Sequence, residues 1–124
     1  IRDLLSPSGE ERTLIRREEQ QLYEYDEYKL QIRRLDFGKK RGIYEFSTYD
    51  PETKDTPPSW GLHPYAEVGV VLEGKMEVNL DGTVYLLEPG DSIYIKPNLY
   101  HTMRNAGDTP CRSFWHLQIM DNSV

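Results

Sequence analysis

Hydrophobic and polar positions alternate along most of the chain with the two-residue period of a strand whose side chains point to opposite faces. Tyr23 and Tyr25 and, after a short break, Tyr28, Leu30 and Ile32 fall on one side of extended segments, and residues 43–49 alternate again. Residues 68–72 are a continuous apolar run, and Met76, Val78 and Leu80 then alternate with Lys75, Glu77 and Asn79. Residues 83–87 and 92–95 read as further strands, and residues 112–119 as a last, aromatic-rich one. Turn residues punctuate them. Asp81-Gly82 is the strongest hairpin signal, because both residues tolerate the positive φ of a type I′ turn. Glu88-Pro89-Gly90-Asp91 and Pro97-Asn98 turn again, and residues 50–59, with three prolines, form a loop that cannot join a sheet interior. Many short strands, closely spaced turns and almost no helix predict an all-β, antiparallel sandwich or barrel.

The ends are less regular. Ile1, Leu4 and Leu5 have a helical spacing that Ser6-Pro7-Ser8-Gly9 stops, so residues 1–9 are expected to be the end of an upstream helix and its linker, with residues 10–124 a single barrel domain. Residues 10–21 are highly charged, with only Leu14 and Ile15 to bury, and fit either a solvated helix or an edge strand. The basic stretch 36–42 reads as a solvated turn.

A chain of 124 residues, 37% of them hydrophobic, is the size of one domain with a modest core. Its formal net charge of −6 argues against a broad basic surface for nucleic acid or an anionic membrane. No apolar run is long enough to span a bilayer, and the first residues lack the apolar core of a signal peptide. A single cysteine, Cys111, leaves no partner for an internal disulfide and suits a reducing compartment, so a cytoplasmic location is expected.

Candidate chemistry lies between Leu62 and Asn105. Pro64 argues against a helical pairing of His63 with Glu67, and in a strand their even spacing puts both on one face. Gly69, next on that face, would leave room beside Glu67. With His101 arriving from a strand across the barrel, two imidazoles and a carboxylate would form a set suited to Fe, Mn, Ni or Zn with open positions. The competing reading is a pair of hydrogen-bonded histidines in a polar cavity without metal. Trp60, Tyr65, Tyr94, Met103 and His116 are candidates to contact an organic ligand. Parity in the last strand is ambiguous: either His116 faces inward with Phe114, or Trp115 does so with Ser113. Arg104, at odd spacing from His101, is expected outside, and Cys111 has no neighbour that would activate it. With no Gly-rich phosphate loop and no Ser nucleophile in a recognisable setting, no catalytic residue is assigned.

The stretch His63-Pro64-Tyr65-Ala66-Glu67, followed after six residues by Gly74, resembles the first motif of the cupin superfamily. Gly90-Asp91 through Pro97-Asn98, His101 and Asn105 resemble the second. The resemblance implies a double-stranded β-helix, or jelly roll, with His63, Glu67 and His101 as metal ligands. The family's first histidine would fall at Gly61, so one usual ligand is missing, and water, substrate or His116 would have to complete the shell. Asn98 stands where Gly is common, and it too accepts a left-handed backbone.

A narrower resemblance is to the C-terminal cupin of Xre-type helix-turn-helix transcription regulators, carried by residues 67–74, 90–94 and 104–108 and by the opening Ile1-Arg2-Asp3-Leu4-Leu5-Ser6. It implies a domain that senses a small-molecule effector, works as a homodimer, and meets DNA only through an upstream domain. The rival expectation is a free-standing cupin metalloenzyme of dioxygenase or isomerase type. The missing histidine and the opening phrase favour the sensor.

Overall fold

The structure, a computed structural model, describes residues 10–38, 40–51, 56 and 61–119. The expected N-terminal helical remnant in residues 1–9 and the candidate Trp60 lie outside these residues.

Among the described residues nine strands form two antiparallel sheets: β1 (Gln21–Tyr25), β2 (Leu30–Asp36), β3 (Ile43–Tyr49), β4 (Glu67–Glu73), β5 (Met76–Leu80), β6 (Thr83–Leu87), β7 (Ser92–Ile95), β8 (His101–Asn105) and β9 (Cys111–Leu117). The larger sheet has the order β1-β2-β3-β9-β4-β7 and the smaller β6-β5-β8. The inner faces are those the alternation predicts. Met76 and Val78 of β5 and Met103 of β8 pack against Val71, Ile95, Trp115 and Leu117 of the larger sheet. The resulting architecture is the antiparallel jelly-roll barrel implied by the two motifs.

The Asp81-Gly82 turn joins β5 to β6 with φ of 48° and 95°, the positive values a type I′ hairpin requires. Asn98, with φ 60°, adopts the left-handed backbone and its N–H donates to the His63 carbonyl at 2.8 Å, which ties the turn before His101 to the loop before Glu67. Asn105 closes the other end of β8: Nδ2 donates to the carbonyls of Tyr49 and Thr109, each at 2.8 Å, and Oδ1 accepts from Gly107 N–H at 2.7 Å. The outer edge of β8 is met by Thr56, whose N–H donates to Met103 O and whose Oγ1 accepts from Met103 N–H.

Residues 10–20 are neither the helix nor the edge strand expected. They run irregularly, with one 3₁₀ turn at Arg17–Glu19, and are pinned to the basic turn, where Arg12 N–H donates to Phe37 O and Arg41 bonds Arg12 O and Glu11. So dense a run of charges has too little apolar surface to hold regular structure against the sheet.

Candidate metal and ligand site

Three loops and strand starts bring the site together. Glu67 is the first residue of β4, His101 the first of β8, and His63 lies in the loop that Asn98 holds. All three are buried, with exposures of 5% (His63), 7% (Glu67) and 4% (His101). Their candidate ligand atoms lie within 4.8 Å of one another.

The backbone sets the imidazole tautomers. His63 Nδ1 lies 2.9 Å from Tyr65 O, and His101 Nδ1 lies 2.9 Å from Leu99 O. A carbonyl accepts only, so each Nδ1 carries the proton and each neutral ring turns an Nε2 lone pair toward Glu67. His63 Nε2 sits 3.4 Å from Glu67 Oε1 and His101 Nε2 3.2 Å from Oε2. Yet His63 Nε2 and Glu67 Oε2 have no hydrogen-bond partner among the described residues. Acceptors converging without a donor, out of reach of solvent, call for a cation. Burial alone would raise the Glu67 carboxyl, but His101 and then His63 outweigh it and hold it at about 2. With the carboxylate kept ionised, its charge stays available to a cation between the three residues. The donor set of two imidazole nitrogens and one carboxylate, already turned inward and held from behind by carbonyls, fits a divalent metal.

Several expectations for the surroundings are corrected. His116 does not complete the shell. Trp115 and Ser113 take the inner face of β9, and His116 lies on the outer face, stacked at 4.6 Å on Tyr44. Alternation allows only one of the two faces, and Gly69 decides which: a Cβ there would fall 2.5 Å from the Trp115 ring. The space Gly69 leaves is thus filled by indole rather than open. Tyr94 pairs with Val68 and is 55% exposed on the outer face. Tyr65 stands beside the site, stacked 3.9 Å from the His63 ring and nearly parallel to it. Met103 lines the cavity. Arg104 is outside as expected, paired with Glu77. Cys111 is fully buried, and burial pushes its thiol up to about 11.

The absent fourth ligand has a steric cause. A Cβ on Gly61 would come within 1.8 Å of the His101 carbonyl oxygen, so the backbone occupies the place a side chain would need.

The cavity lined by Glu67 and His101 has a volume of about 80 Å³ and is lined further by Tyr23, Tyr25, Ile32, Arg34, Glu45 and Tyr49. Arg34 and Glu45 escaped the sequence reading. The signal was present, since Arg34 shares the inward parity of Leu30 and Ile32, and Glu45 that of Ile43. Among the described residues, Tyr49 donates only to the Met103 sulfur, at 3.8 Å. Burial, then the charges of Glu67 and Glu45, raise its phenol, which stays protonated.

Fold and site together define a jelly-roll domain with an enclosed two-histidine, one-carboxylate centre. The chain belongs to the cupin domain family, whose match spans residues 45–117. Over 56 residues it is 41% identical to the "Polyketide synthase CurC" of Streptomyces cyaneus, a match covering 44% of this chain and 36% of that protein. The matched region thus spans little more than a third of that relative's length. Among solved structures, an RmlC-like cupin from Shewanella frigidimarina superposes with a TM-score of 0.71 at 19% identity, over 94% of this chain and 99% of that one. The cupin domain of an XRE family transcriptional regulator from Enterobacter cloacae gives 0.64 at 17%, over 75% of this chain and 99% of that one. At such identities these likenesses show the fold alone. No helix among the described residues is long and apolar enough to cross a membrane.

Proposed function

We propose that this chain is the sensor domain of a helix-turn-helix transcription regulator, a metal-binding cupin that takes a small organic effector into its barrel beside His63, Glu67 and His101. The observation that carries the binding role is the convergence of two imidazole lone pairs and a carboxylate with no donor between them. A bound divalent ion would supply open coordination positions for an oxygen donor of the effector. The chain's own residues shape the rest: Tyr65 stacks on His63 and holds its ring by a backbone carbonyl, while Trp115 and Met103 wall the cavity. Sensing is favoured over turnover because one of the family's usual ligands is replaced by Gly61, where the His101 carbonyl leaves no room for a side chain.

In this reading the domain works in the cytoplasm as a homodimer, and effector binding biases the orientation of two upstream DNA-binding domains by favouring one arrangement over the other. The second reading, a cupin metalloenzyme, draws on the 41% identity to a protein named as a polyketide synthase.

Metal analysis of protein purified without chelator tests the site. Wild type is expected to retain close to one divalent ion per chain, and His101→Ala and Glu67→Gln to lose most of it. Equal metal content in wild type and variants would remove the assignment. The size of the native product separates the two readings: a basic helical domain of about 60–80 residues upstream is expected for the regulator, and a start close to Ile1 would favour the enzyme.

A further inference from the structure

Arg34 is a charged residue buried to 5% exposure on the inner face of β2, lining the same cavity as Glu67 and His101. Its contacts among the described residues are loose. Nε lies 3.5 Å from Glu45 Oε2, Nη1 donates to the Tyr23 hydroxyl at 3.3 Å, and the guanidinium carbon sits 4.6 Å from the centre of the Tyr23 ring. A guanidinium has five N–H donors in a planar fork, and two long contacts leave it under-used for a group withdrawn from water. The fork fits a carboxylate with two parallel bonds. The Tyr23 ring flanks the guanidinium at 4.6 Å as a cation–π partner, which uses none of its N–H donors.

The charge balance points the same way. Arg34, Glu45 and Glu67 sum to a formal −1, which a divalent cation at the three ligands turns to +1. A cavity of +1 accepts one monoanion without a net charge left buried. Phosphate, with a charge of about −1.5 to −2 when esterified, would overshoot. Tyr49, protonated and without an oxygen or nitrogen acceptor among the described residues, adds a neutral donor in the same space.

We propose that the ligand of this cavity is a small carboxylate-bearing molecule, with its carboxylate on Arg34 and its remaining oxygen function directed to the His63, Glu67 and His101 centre. This rests on the cavity being a ligand site, as in the function proposed above.

The test is calorimetric titration of the metal-loaded full chain with 4-oxopentanoate and with 4-oxopentanamide, which differ only in the charge at one end. The acid is expected to bind at least about tenfold more tightly, as a charge-assisted pair provides, and Arg34→Gln to abolish that preference. Glu45→Gln keeps the guanidinium and removes its competing carboxylate, so it should tighten the acid severalfold. A pair serving structure alone would instead weaken both variants. Equal affinity for acid and amide in wild type, a preference that survives Arg34→Gln, or weaker acid binding in a folded Glu45→Gln would overturn the proposal. Tighter binding of inorganic phosphate than of 4-oxopentanoate would overturn the carboxylate class. If wild type takes up no metal, the proposed function fails by itself. The same acid and amide comparison on the metal-free chain then decides the role of Arg34, a lost or absent preference counting against it.

Discussion

His63 and His101 each donate an Nδ1–H hydrogen bond to a main-chain carbonyl, of Tyr65 and Leu99, two residues away. Local chain geometry therefore sets which nitrogen is free before any ion arrives, and the site is prepared rather than assembled on binding. Gly61 shows how little slack remains around it. Because a Cβ there would lie 1.8 Å from the His101 carbonyl oxygen, backbone would have to move. Gly61→Ala is expected to cost ~1–3 kcal/mol, as overpacking against a rigid neighbour does, and to lower metal retention by shifting His101. Urea denaturation together with metal analysis would check both. Unchanged stability with full metal content would show that the loop yields freely. The even spacing of His63 and Glu67 was legible from the sequence, but the lone-pair directions were not, since they depend on carbonyls whose positions the fold decides.

At the scale of elements, the hairpin between β5 and β6 is determined almost wholly by two residues. Nothing lies within 4 Å of a Cβ built on Gly82, so a substitution there meets no steric obstacle and its cost is conformational. With φ at 95°, Gly82→Ala should destabilise the domain by about 1–2 kcal/mol, with an unchanged denaturant m-value and unchanged metal content. A midpoint identical to that of wild type would mean the turn is not formed as described. β9 teaches the opposite lesson. Its alternation of Arg112, Ser113, Phe114, Trp115 and His116 allows either face to be inner, because aromatic residues occupy both. The choice falls to a neighbour: only Gly69 of β4 makes room for an indole, so Trp115 turns in and His116 out.

At the scale of the whole molecule, the outer face of the larger sheet carries a layer of aromatic and aliphatic side chains. Tyr44, His116, Val68 and Tyr94 follow one another in register across β3, β9, β4 and β7, with Phe46, Phe114 and Val70 in the next row. Val68, Leu72 and Tyr94 remain 37%, 44% and 55% exposed on that face. Such a surface is larger than isolated apolar residues need explain, and it is where the proposed homodimer would bury area. Sedimentation at micromolar concentration is expected to give a dimer for wild type and a monomer for Val68→Lys/Tyr94→Lys. A monomeric wild type would contradict the dimer.

Strand period, turn chemistry and the two spaced motifs were enough, read along the chain, to define the cupin barrel and the trio His63, Glu67 and His101. These features are local: alternation places side chains on a face, and Asp81, Gly82 and Asn98 accept backbone angles that most residues resist. Only the folded molecule decided that His116 stacks on Tyr44 outside the barrel, that position 61 has no room for a side-chain ligand, and that Arg34 and Glu45 share the cavity with Glu67 and His101. Each of these depends on which atoms from distant strands approach within a few ångströms, and spacing along a single strand carries no record of what lies opposite it.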